Sequence, residues 1–371
     1  MSVSNHNIKR IIIYRLGSLG DTIVALPSLH LIRKKYPKAE INLLGTSVSH
    51  AAACHPKNIL EGSGLINGYL SYPNGLRDPR DLFILRRKIK QLSPQLLIYL
   101  TAVRSYLKVY RDVLFFKLCG IKKIIAAPYH ANLQNNKWND RRDCYEYEAV
   151  RLTRCLAELG DAHIDNKESW DLRLSPQELY RAQELLRISL TPSKFIACSP
   201  TAKVDAKHWG KRRWQEFIRK LYPHFRQYQL ILLGAEKDYE ECKYVGNSWS
   251  GSIVNLCGKT TPRESAAVLK HVDFFVGHDS GPMHLAASVG TPCIAIFSAR
   301  NKPSVWFPYG SRHKVHYFKT ACYGCALDVC TKKECIKSIT VDEVLTSCLS
   351  ILTTNLRRDS LQDQGQLCKP S

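Results

Sequence analysis

Short apolar runs alternating with longer amphipathic stretches constrain the fold of this chain more than any other feature of its sequence. The runs are rich in Ile, Val and Leu, and each is short enough to be a single strand. In the first half they are Arg10–Arg15, Glu40–Leu44, Gly68–Ser71, Gln95–Leu100 and Lys123–Ala127. In the second half they are Lys194–Cys198, Gln229–Leu233, Ile253–Leu256, Asp273–Val276 and Pro292–Phe297. This alternation predicts an α/β fold in which helices cover two mainly parallel sheets.

The stretches between these runs predict helices with marked ends. One helix is predicted over Asp21–Lys35 and another over Asp81–Leu92, because a proline follows each of them within two residues. A third begins after Ser175, where Ser-Pro-Gln-Glu matches a capping sequence, and runs to about Ser189.

The length of the chain, 371 residues, exceeds what one hydrophobic core usually serves. Two strand–helix series of similar length therefore predict two Rossmann-like domains, residues 1–170 and residues 175–350. We expect the polar segment 355–371 to be a loose tail.

The chain is strongly basic, with 54 Lys and Arg against 32 Asp and Glu and a formal net charge of +22. The excess is +12 in residues 1–175 and +10 in residues 176–371, so it is not confined to a tail. Such a field favours phosphorylated substrates or an anionic membrane surface. A nucleic-acid partner is not expected, since no zinc-finger, RNP or helix-turn-helix pattern is recognisable.

No apolar stretch reaches the roughly 18 residues of a membrane span. The 14 cysteines, in a chain without a recognisable export signal, indicate reduced thiols rather than a disulfide framework. We therefore expect a cytoplasmic protein that contacts the inner face of the cytoplasmic membrane peripherally, in part through Arg86–Lys90 (RRKIK).

The first predicted strand ends in Gly17-Ser18-Leu19-Gly20-Asp21. Two glycines allow a tight turn and close approach of a ligand to the backbone. Asp21 stands at the start of the predicted helix, where it serves as an N-cap, as a functional carboxylate, or as both. The spacing matches neither a dinucleotide fingerprint nor a P-loop.

A second polar segment, Asp279-Ser280-Gly281-Pro282-Met283-His284, follows the strand that ends at Val276. Asp or Ser caps the next helix, and Pro282 lies in its first turn, where a missing N–H costs nothing. Exposed N–H groups and the helix dipole favour a diphosphate at such a helix start.

Two further candidates follow other strands of the second half. The segment from Ser199 to Trp209 contains Thr201 and Lys207, and a lysine there neutralises a phosphate or is simply solvated. Glu236 follows the next strand, where an acidic residue accepts hydrogen bonds from a ribose.

Two other stretches admit more than one interpretation. The cysteines Cys322, Cys325, Cys330 and Cys335 either close a structural zinc site or remain free thiols. The aromatic and basic stretch Tyr106–Lys123 predicts a buried helix whose cations extend to solvent, in preference to a nucleic-acid surface.

Four segments, in the same order, resemble glycosyltransferase family 9, the heptosyltransferases. They are Ile11–Pro27 (IIIYRLGSLGDTIVALP), Lys207–Trp209 with Trp214 beyond it, Gly234–Glu236, and Val276–Pro292 (VGHDSGPMHLAASVGTP). The likeness runs from about residue 8 to residue 345 and includes the Cys-rich segment. Ser280 replaces the family's common threonine, and the loop Ser298–Asn301 replaces its frequent Gly-Pro-Thr.

The resemblance implies a GT-B fold, in which an acceptor-binding N-terminal domain faces a nucleotide-sugar-binding C-terminal domain across a cleft. It implies inverting transfer without a metal or other cofactor, with Asp21 as general base and Lys207 on a donor phosphate. Glu236 would hold the ribose, and Asp279 to Gly281 the diphosphate. The full donor-binding set is Gly20, Thr201, Glu236, Asp279, Ser280, Gly281 and His284.

The resulting hypothesis is an enzyme that transfers heptose from ADP-heptose to a phosphorylated lipopolysaccharide core or related surface glycan. One alternative is a GT-B enzyme for another nucleotide sugar, either a different polysaccharide transferase or an epimerase. A second is a non-catalytic nucleotide-sugar-binding protein. Asp21 opposite a donor site favours an enzyme, because a binding module needs no base.

Overall fold

The computed structural model describes residues 8–46, 55–73, 78–187 and 194–351. Two parallel sheets dominate these residues, as the alternation of apolar runs predicts. The segment 355–371, predicted to be a loose tail, lies outside the described residues.

Five parallel strands form the first sheet. They are β1 (Arg10–Tyr14), β2 (Glu40–Thr46), β3 (Gly68–Tyr72), β4 (Leu96–Tyr99) and β5 (Lys123–Ile125). Their order across the sheet is β3-β2-β1-β4-β5. The strands β2 and β3 are therefore added on one side of β1, and β4 and β5 are added on its other side, so the strand order reverses between β1 and β4. Ligands of such sheets bind at the carboxyl ends of the strands beside this reversal.

A short antiparallel hairpin, β6 (Trp138–Asn139) and β7 (Cys144–Tyr145), follows the first sheet. Six parallel strands then form the second sheet. They are β8 (Lys194–Ser199), β9 (Tyr228–Leu232), β10 (Ile253–Asn255), β11 (Phe274–His278), β12 (Cys293–Phe297) and β13 (Lys314–Tyr317). Their order is β10-β9-β8-β11-β12-β13, which places the reversal between β8 and β11.

Helices connect the strands of both sheets. In the first half they are α1 (Leu19–Val24), α2 (Leu26–Lys35), α3 (Lys57–Leu60), α4 (Pro79–Leu92), α5 (Tyr106–Leu118), α6 (Ala131–Gln134) and α7 (Glu148–Cys155). In the second half they are α8 (Pro176–Leu186), α9 (Lys211–Leu221), α10 (Tyr239–Gly246), α11 (Pro262–Leu269), α12 (Gly281–Ser288) and α13 (Glu334–Lys337), and residues 341–351 are also helical. No helix of the described ranges has the length and apolar character needed to cross a bilayer.

All ten predicted strands are confirmed with small shifts at their ends, but β13 and the hairpin are not predicted. The predicted helix Asp21–Lys35 is two helices, α1 and α2, broken at Ala25. Pro27 explains the break, because it has no N–H to donate to the carbonyl four residues earlier. The third predicted helix begins after Ser175 as expected and ends at Leu186, and Ser189 lies outside the described residues.

The expectation of a buried helix over Tyr106–Lys123 is wrong in one respect. The helix forms as α5, and its inner face, with Val109 and Phe116, is buried. Its outer face is not, since Leu107 is 83% exposed and Leu114 is 60% exposed.

Buried apolar side chains form three clusters. One lies between the first sheet and the pair α4 and α5, and another lies between the second sheet and α9 with residues 341–351. The third contains the remaining faces of both sheets together with α1, α2, α11 and α12, so it is continuous from one sheet to the other. Each sheet lies within one predicted segment, and the division of the chain into domains 1–170 and 175–350 stays a prediction.

Arg263, in the first turn of α11, joins segments that are distant in sequence. Its Nη1 donates to the carbonyls of Ile59 and Leu172 at 2.8 and 3.0 Å, and its Nη2 donates to that of Arg173 at 2.9 Å. Its Nε lies 2.5 Å from Glu178 Oε1, and the Arg263 side chain is 7% exposed. The guanidinium therefore connects α3, residues 172–173 and α8 to α11.

We predict that Arg263→Met lowers the free energy of unfolding by about 3–5 kcal/mol, since it leaves a carboxylate and several carbonyls without their cation. Calorimetric melting measures the loss. Arg181→Met is the matched control. Arg181 pairs with Glu184 at the surface, where the two side chains are 49% and 44% exposed. Such a pair contributes about 1 kcal/mol or less. Equal melting temperatures for the two variants would contradict the prediction.

The pH dependence of this pair has a definite sign. Burial alone raises the pKa of Glu178, but hydrogen bonds from Arg263 and Ser175 bring that pKa below its ordinary value. The stabilisation is therefore complete above the unfolded carboxyl pKa of about 4.3, and it is lost as the pH falls from there through the lower folded pKa. We predict that Glu178→Gln lowers the melting temperature at neutral pH and that its difference from the parent chain disappears in acid. A difference that grows in acid would contradict this assignment.

Candidate functional site

Asp21 lies in the first turn of α1, at the carboxyl end of β1. Ser18 is the N-cap of this helix, and its N–H and hydroxyl donate to Asp21 Oδ2 at 2.8 and 3.2 Å. Asp21 is therefore not the N-cap but the third helical residue, whose carboxylate accepts hydrogen bonds from the capping residue. Its Oδ1 accepts no hydrogen bond from the residues that the structure describes. One carboxylate oxygen is held by the helix start, and the other is left without a hydrogen-bond donor among those residues.

The position of Asp21 depends on Gly17. The backbone of Gly17 has a φ of +127°, a conformation that residues with a side chain rarely adopt. A Cβ built on Gly17 would also lie 2.3 Å from Asp21 Cγ. The glycine therefore allows the strand to turn sharply into α1 with the carboxylate packed over the turn.

Arg15 is a residue of this turn that the motif pattern does not reveal. It is almost fully buried, and its Nη1 donates to the Leu100 carbonyl at 3.0 Å while its Nη2 donates to the backbone carbonyl of Asp21. Burial lowers the pKa of the guanidinium, and the carboxylates of Asp21 and Glu148 oppose that effect. Arg15 thus ties the ends of β1 and β4 to α1. Its only sequence signal is a cation that ends an apolar run.

Asp279 is the centre of a second polar cluster, at the end of β11. Its Oδ2 lies 2.7 Å from Lys207 Nζ and accepts a hydrogen bond from Asn301 Nδ2 at 2.8 Å. Lys207 Nζ also donates to the backbone carbonyl of Asp279 at 3.2 Å, and His284 Nε2 lies 3.9 Å from Asp279 Oδ1. The cluster is largely removed from water, which strengthens its electrostatic interactions. Asn301 belongs to the loop that departs from the family pattern, and the sequence alone assigns it no contact.

The starts of α1 and α12 are in direct contact. A Cβ built on Gly281 would lie 2.4 Å from Leu19 Cδ2, and one built on Gly20 would lie 2.8 Å from His284 Cδ2. Each helix therefore presents a glycine to a side chain of the other. Gly281 brings no side chain of its own to the start of α12, and Leu19 packs in the space that this leaves.

Ser280 is the N-cap of α12, and Pro282 lies in the first turn of the helix, as predicted. The Ser280 hydroxyl oxygen is buried and has no hydrogen-bond partner among the described residues. A buried hydroxyl without a partner is costly, so a ligand that bonds to it gains affinity. Together with the free N–H groups of the first helical turn, it suits an anionic ligand.

His284 lies one turn inside α12 and is buried. Burial lowers its pKa, the nearby Asp279 and Asp21 carboxylates raise it, and the Lys207 ammonium lowers it further, with a net decrease. The imidazole is therefore neutral at neutral pH. A Cβ built on Gly20 would lie 2.8 Å from the ring, so the two candidate segments are neighbours here.

His278, at the end of β11, organises the loop that carries Lys207. Its Nδ1 donates to the Thr201 carbonyl at 3.2 Å, and its Nε2 accepts from the Trp209 N–H at 3.0 Å and from Trp214 Nε1 at 3.3 Å. Burial first, and then the neighbouring charges, lower its pKa to about 3, so His278 stays neutral and keeps one tautomer. The sequence signal for this role is a histidine inside a buried strand.

Thr201 and Glu236 complete the predicted donor set at the same edge of the sheet. Thr201 is buried and contacts β11 through His278, whereas Glu236 is exposed in a 3-10 turn after β9. Because β9 lies two strands from β11, their ends are roughly 10 Å apart. The structure therefore brings together Gly20, Asp21, Lys207, Asp279, Ser280, Gly281 and His284, and it places Glu236 at a distance from them.

The Cys-rich segment braces this cluster. The Asp328 carbonyl accepts from the Ala206 N–H at 3.0 Å, and Lys333 Nζ lies 2.5 Å from Asp205 Oδ1, so both contacts hold the turn that contains Lys207. Within residues 8–46, 55–73, 78–187 and 194–351, no three His, Cys, Asp or Glu side chains converge as metal ligands. Cys322, Cys325, Cys330 and Cys335 form no disulfide in this arrangement.

A cavity of about 590 Å³ lies at the opposite, C-terminal end of α12. Its lining includes Trp170, Gly290, Tyr309 and Arg312, and none of the predicted site residues borders it. The polar cluster around Asp279 is therefore separate from this cavity.

Comparison with known proteins places the chain in a family. The model of glycosyltransferase family 9 (heptosyltransferase) matches residues 114–336, about three fifths of the chain. A lipooligosaccharide heptosyltransferase 2 from Campylobacter jejuni subsp. jejuni serotype O:2 is 23% identical over 344 residues, which cover 90% of this chain and 95% of that protein. A lipopolysaccharide heptosyltransferase 3 from Escherichia coli is 32% identical over 120 residues, 32% of this chain and 34% of that protein.

Solved structures agree with the fold. A family 9 glycosyltransferase from Veillonella parvula superposes with a TM-score of 0.71 at 19% identity, covering 93% of this chain and 98% of that one. The E. coli ADP-heptose lipopolysaccharide heptosyltransferase II superposes with a TM-score of 0.63 at 18% identity, covering 93% and 99%. At these identities the likeness shows the fold alone, which is the GT-B arrangement of two Rossmann-like sheets. The family match carries the identification: this chain is a glycosyltransferase that belongs to family 9, the heptosyltransferases.

Proposed function

We propose that this chain transfers heptose from ADP-heptose to a phosphorylated lipopolysaccharide core in the cytoplasm, with inversion at the anomeric carbon and without a metal ion. The observation that carries the proposal is the contact between the start of α1, which holds Asp21, and the first turn of α12, beside the Asp279–Lys207 pair. A candidate base and a cation thus lie on adjoining elements of the two sheets. The choice of donor and acceptor follows the relatives, one of which is an E. coli heptosyltransferase solved with ADP-2-deoxy-2-fluoro heptose.

In the proposed reaction, an acceptor hydroxyl attacks the anomeric carbon of the heptose. Its proton passes to Asp21 Oδ1, the oxygen that the capping box leaves open. The bond between the anomeric carbon and the diphosphate oxygen breaks, and ADP leaves with the bonding electron pair. Attack on the face opposite the leaving group inverts the anomeric configuration.

The leaving diphosphate gains negative charge, which a fixed cation and a helix start stabilise. Lys207 is the cation, and Ser280 with the first N–H groups of α12 supplies hydrogen bonds. Asp279 bears a negative charge of its own, so direct contact with a diphosphate is unfavourable. We therefore assign Asp279 to holding Lys207 and Asn301 in place, and the phosphate contacts to its neighbours.

The remaining donor residues fit an extended nucleotide. The spacing of roughly 10 Å between the ends of β9 and β11 allows Glu236 to reach the ribose while the diphosphate lies at α12. Thr201 lies between them, after β8, and Gly20 leaves room beside His284.

Donor identity is tested by incubating the full chain with a truncated, phosphorylated inner-core acceptor and ADP-heptose, or with GDP- and UDP-sugars. We predict transfer from ADP-heptose, unchanged by EDTA, with a product whose anomeric configuration by NMR is opposite to that of the donor. Saturating donor should also raise the melting temperature, since a ligand at 100 times its Kd adds about 2.7 kcal/mol. Transfer from another nucleotide sugar in preference to ADP-heptose would favour the alternative substrate class.

The base assignment is tested by Asp21→Asn, which retains an oxygen for the Ser18 N–H and removes the basic carboxylate. We predict a fall in kcat of about 10²–10⁴-fold with the donor Kd unchanged. Glu264→Gln is the matched control, because Glu264 makes the equivalent capping contact at the start of α11, where it accepts from the Thr261 N–H at 2.7 Å. Unchanged turnover in Asp21→Asn would exclude the base role, and donor binding without turnover in the parent chain would favour a binding protein.

The cation assignment is tested by Lys207→Met. We predict weaker ADP binding by at least about ten-fold, because a charge-assisted hydrogen bond to phosphate is lost. Lys203→Met serves as the control, since Lys203 is an exposed lysine of the same loop. Isothermal titration with ADP measures both, and equal affinities would contradict the role of Lys207.

A further inference from the structure

The outer faces of α4 and α5 expose a concentration of large apolar side chains. Nine of the sixteen exposed large apolar residues in the described ranges fall between residues 82 and 118. On the two helices these are Leu82, Phe83, Ile84, Tyr106, Leu107, Tyr110, Leu114 and Leu118. Isolated exposed apolar residues are ordinary, but a contiguous patch marks an interaction surface. We call this surface the α4–α5 face.

The two helices form one continuous layer. Their inner residues, including Leu85 of α4 and Val113 of α5, belong to a single apolar cluster on one side of the first sheet. Arg86 Nε of α4 also donates to the Leu118 carbonyl of α5 at 3.3 Å. The helices therefore lie side by side, and their outward residues share one face.

The apolar residues of α5 follow a helical stripe. Leu107, Tyr110, Leu114 and Leu118 are spaced by three or four residues, which places them along one side of the helix. All four are more than half exposed, at 83%, 56%, 60% and 59%. A surface helix normally turns its apolar stripe toward the core and exposes its polar residues, whereas α5 exposes this stripe.

Cations surround and interrupt the stripe. The two helices carry eight Lys and Arg against two Asp. One of the two, Asp112, is buried and paired with Arg104 at 3.0 Å and with Arg111 at 2.8 Å, so its charge is compensated. Lys108 and Lys117 lie on α5 between the apolar side chains.

The location of the face relates it to the site. In a parallel strand–helix unit, the helix starts at the carboxyl edge of the sheet. The first turns of α4 and α5, with Leu82 and Leu107, therefore lie at the edge where α1 also starts with Asp21. A partner on this face would border the acceptor side of the site.

We propose that the α4–α5 face docks on an anionic lipid bilayer, with its apolar side chains in the headgroup region and its cations on lipid phosphates. Apolar side chains interleaved with Lys and Arg are typical of helices that lie in the plane of a membrane. The centres of protein–protein interfaces are instead depleted of lysine. The inference deepens the proposed function, because an acceptor carried by a lipid would be presented at this edge of the sheet, but lipid binding itself needs no transfer reaction.

The experiment is co-sedimentation of the full chain with vesicles of phosphatidylethanolamine and phosphatidylglycerol, compared with vesicles of phosphatidylcholine. We predict binding to the anionic vesicles that weakens steeply with added salt, because the screening length shortens. Leu107→Gln with Leu114→Gln should reduce the partition coefficient by at least about ten-fold, since the inserted apolar area is lost. Arg87→Gln with Lys90→Gln should reduce it on the order of ten-fold at low salt and by little at high salt.

The matched control is Tyr180→Gln with Phe318→Gln, which removes two side chains of 62% and 50% exposure elsewhere on the surface. We expect this variant to bind vesicles as the parent does. All variants alter exposed side chains, so their melting temperatures and their turnover on a short, soluble acceptor should match those of the parent.

Three outcomes would overturn the inference. One is unchanged vesicle binding by the Leu107 and Leu114 variant, and another is equal binding to neutral and anionic vesicles. The third is a change in self-association by sedimentation velocity without a change in vesicle binding, which would assign the face to a second copy of the chain. Lost transfer with intact vesicle binding would count against the proposed function alone, because the vesicle assay contains no donor.

Discussion

The packing of α1 on the first turn of α12 is the contact on which the candidate site depends. These two helices follow β1 and β11, the central strands of two different sheets, and their starts meet because Gly20 and Gly281 each accept a side chain of the other helix. A continuous apolar cluster behind the contact holds the sheets in this relation. Asp21 and the Asp279 cluster are therefore brought together by packing, with no direct bond between the two carboxylates.

Electrostatics then determine what each group of the cluster does. A buried carboxylate needs compensation, and Lys207 and Asn301 provide it for Asp279. His284 stays neutral because burial outweighs the nearby carboxylates. The lysine is consequently the one side chain of the Asp279 cluster with a positive charge for an incoming diphosphate, and the surrounding bonds fix its position in advance.

Ten strands could be predicted, because each of them is a short and mainly apolar run, as in a parallel sheet that helices cover. The strand β13 could not, since it lies at the edge of its sheet and alternates polar and apolar residues over Lys314–Tyr317. The outer face of α5 was also beyond local reasoning, because apolar side chains at helical spacing look the same whether a core or another surface covers them. Arg15 and His278 are further examples, since their roles depend on partners far away in sequence.

By itself the sequence determined the two series of strands and helices, the glycine turn before Asp21 and the helix start at Ser280, because these are local consequences of hydrophobic periodicity, backbone freedom and capping. Only the tertiary structure decided that Asp21 lies beside the start of α12, that Lys207 pairs with Asp279, and that Glu236 stands apart. Those facts arise from contacts between segments far apart in sequence, such as the 72 residues that separate Lys207 from Asp279. Such contacts depend on the order of the strands within a sheet and on how the two sheets pack, which no local pattern records.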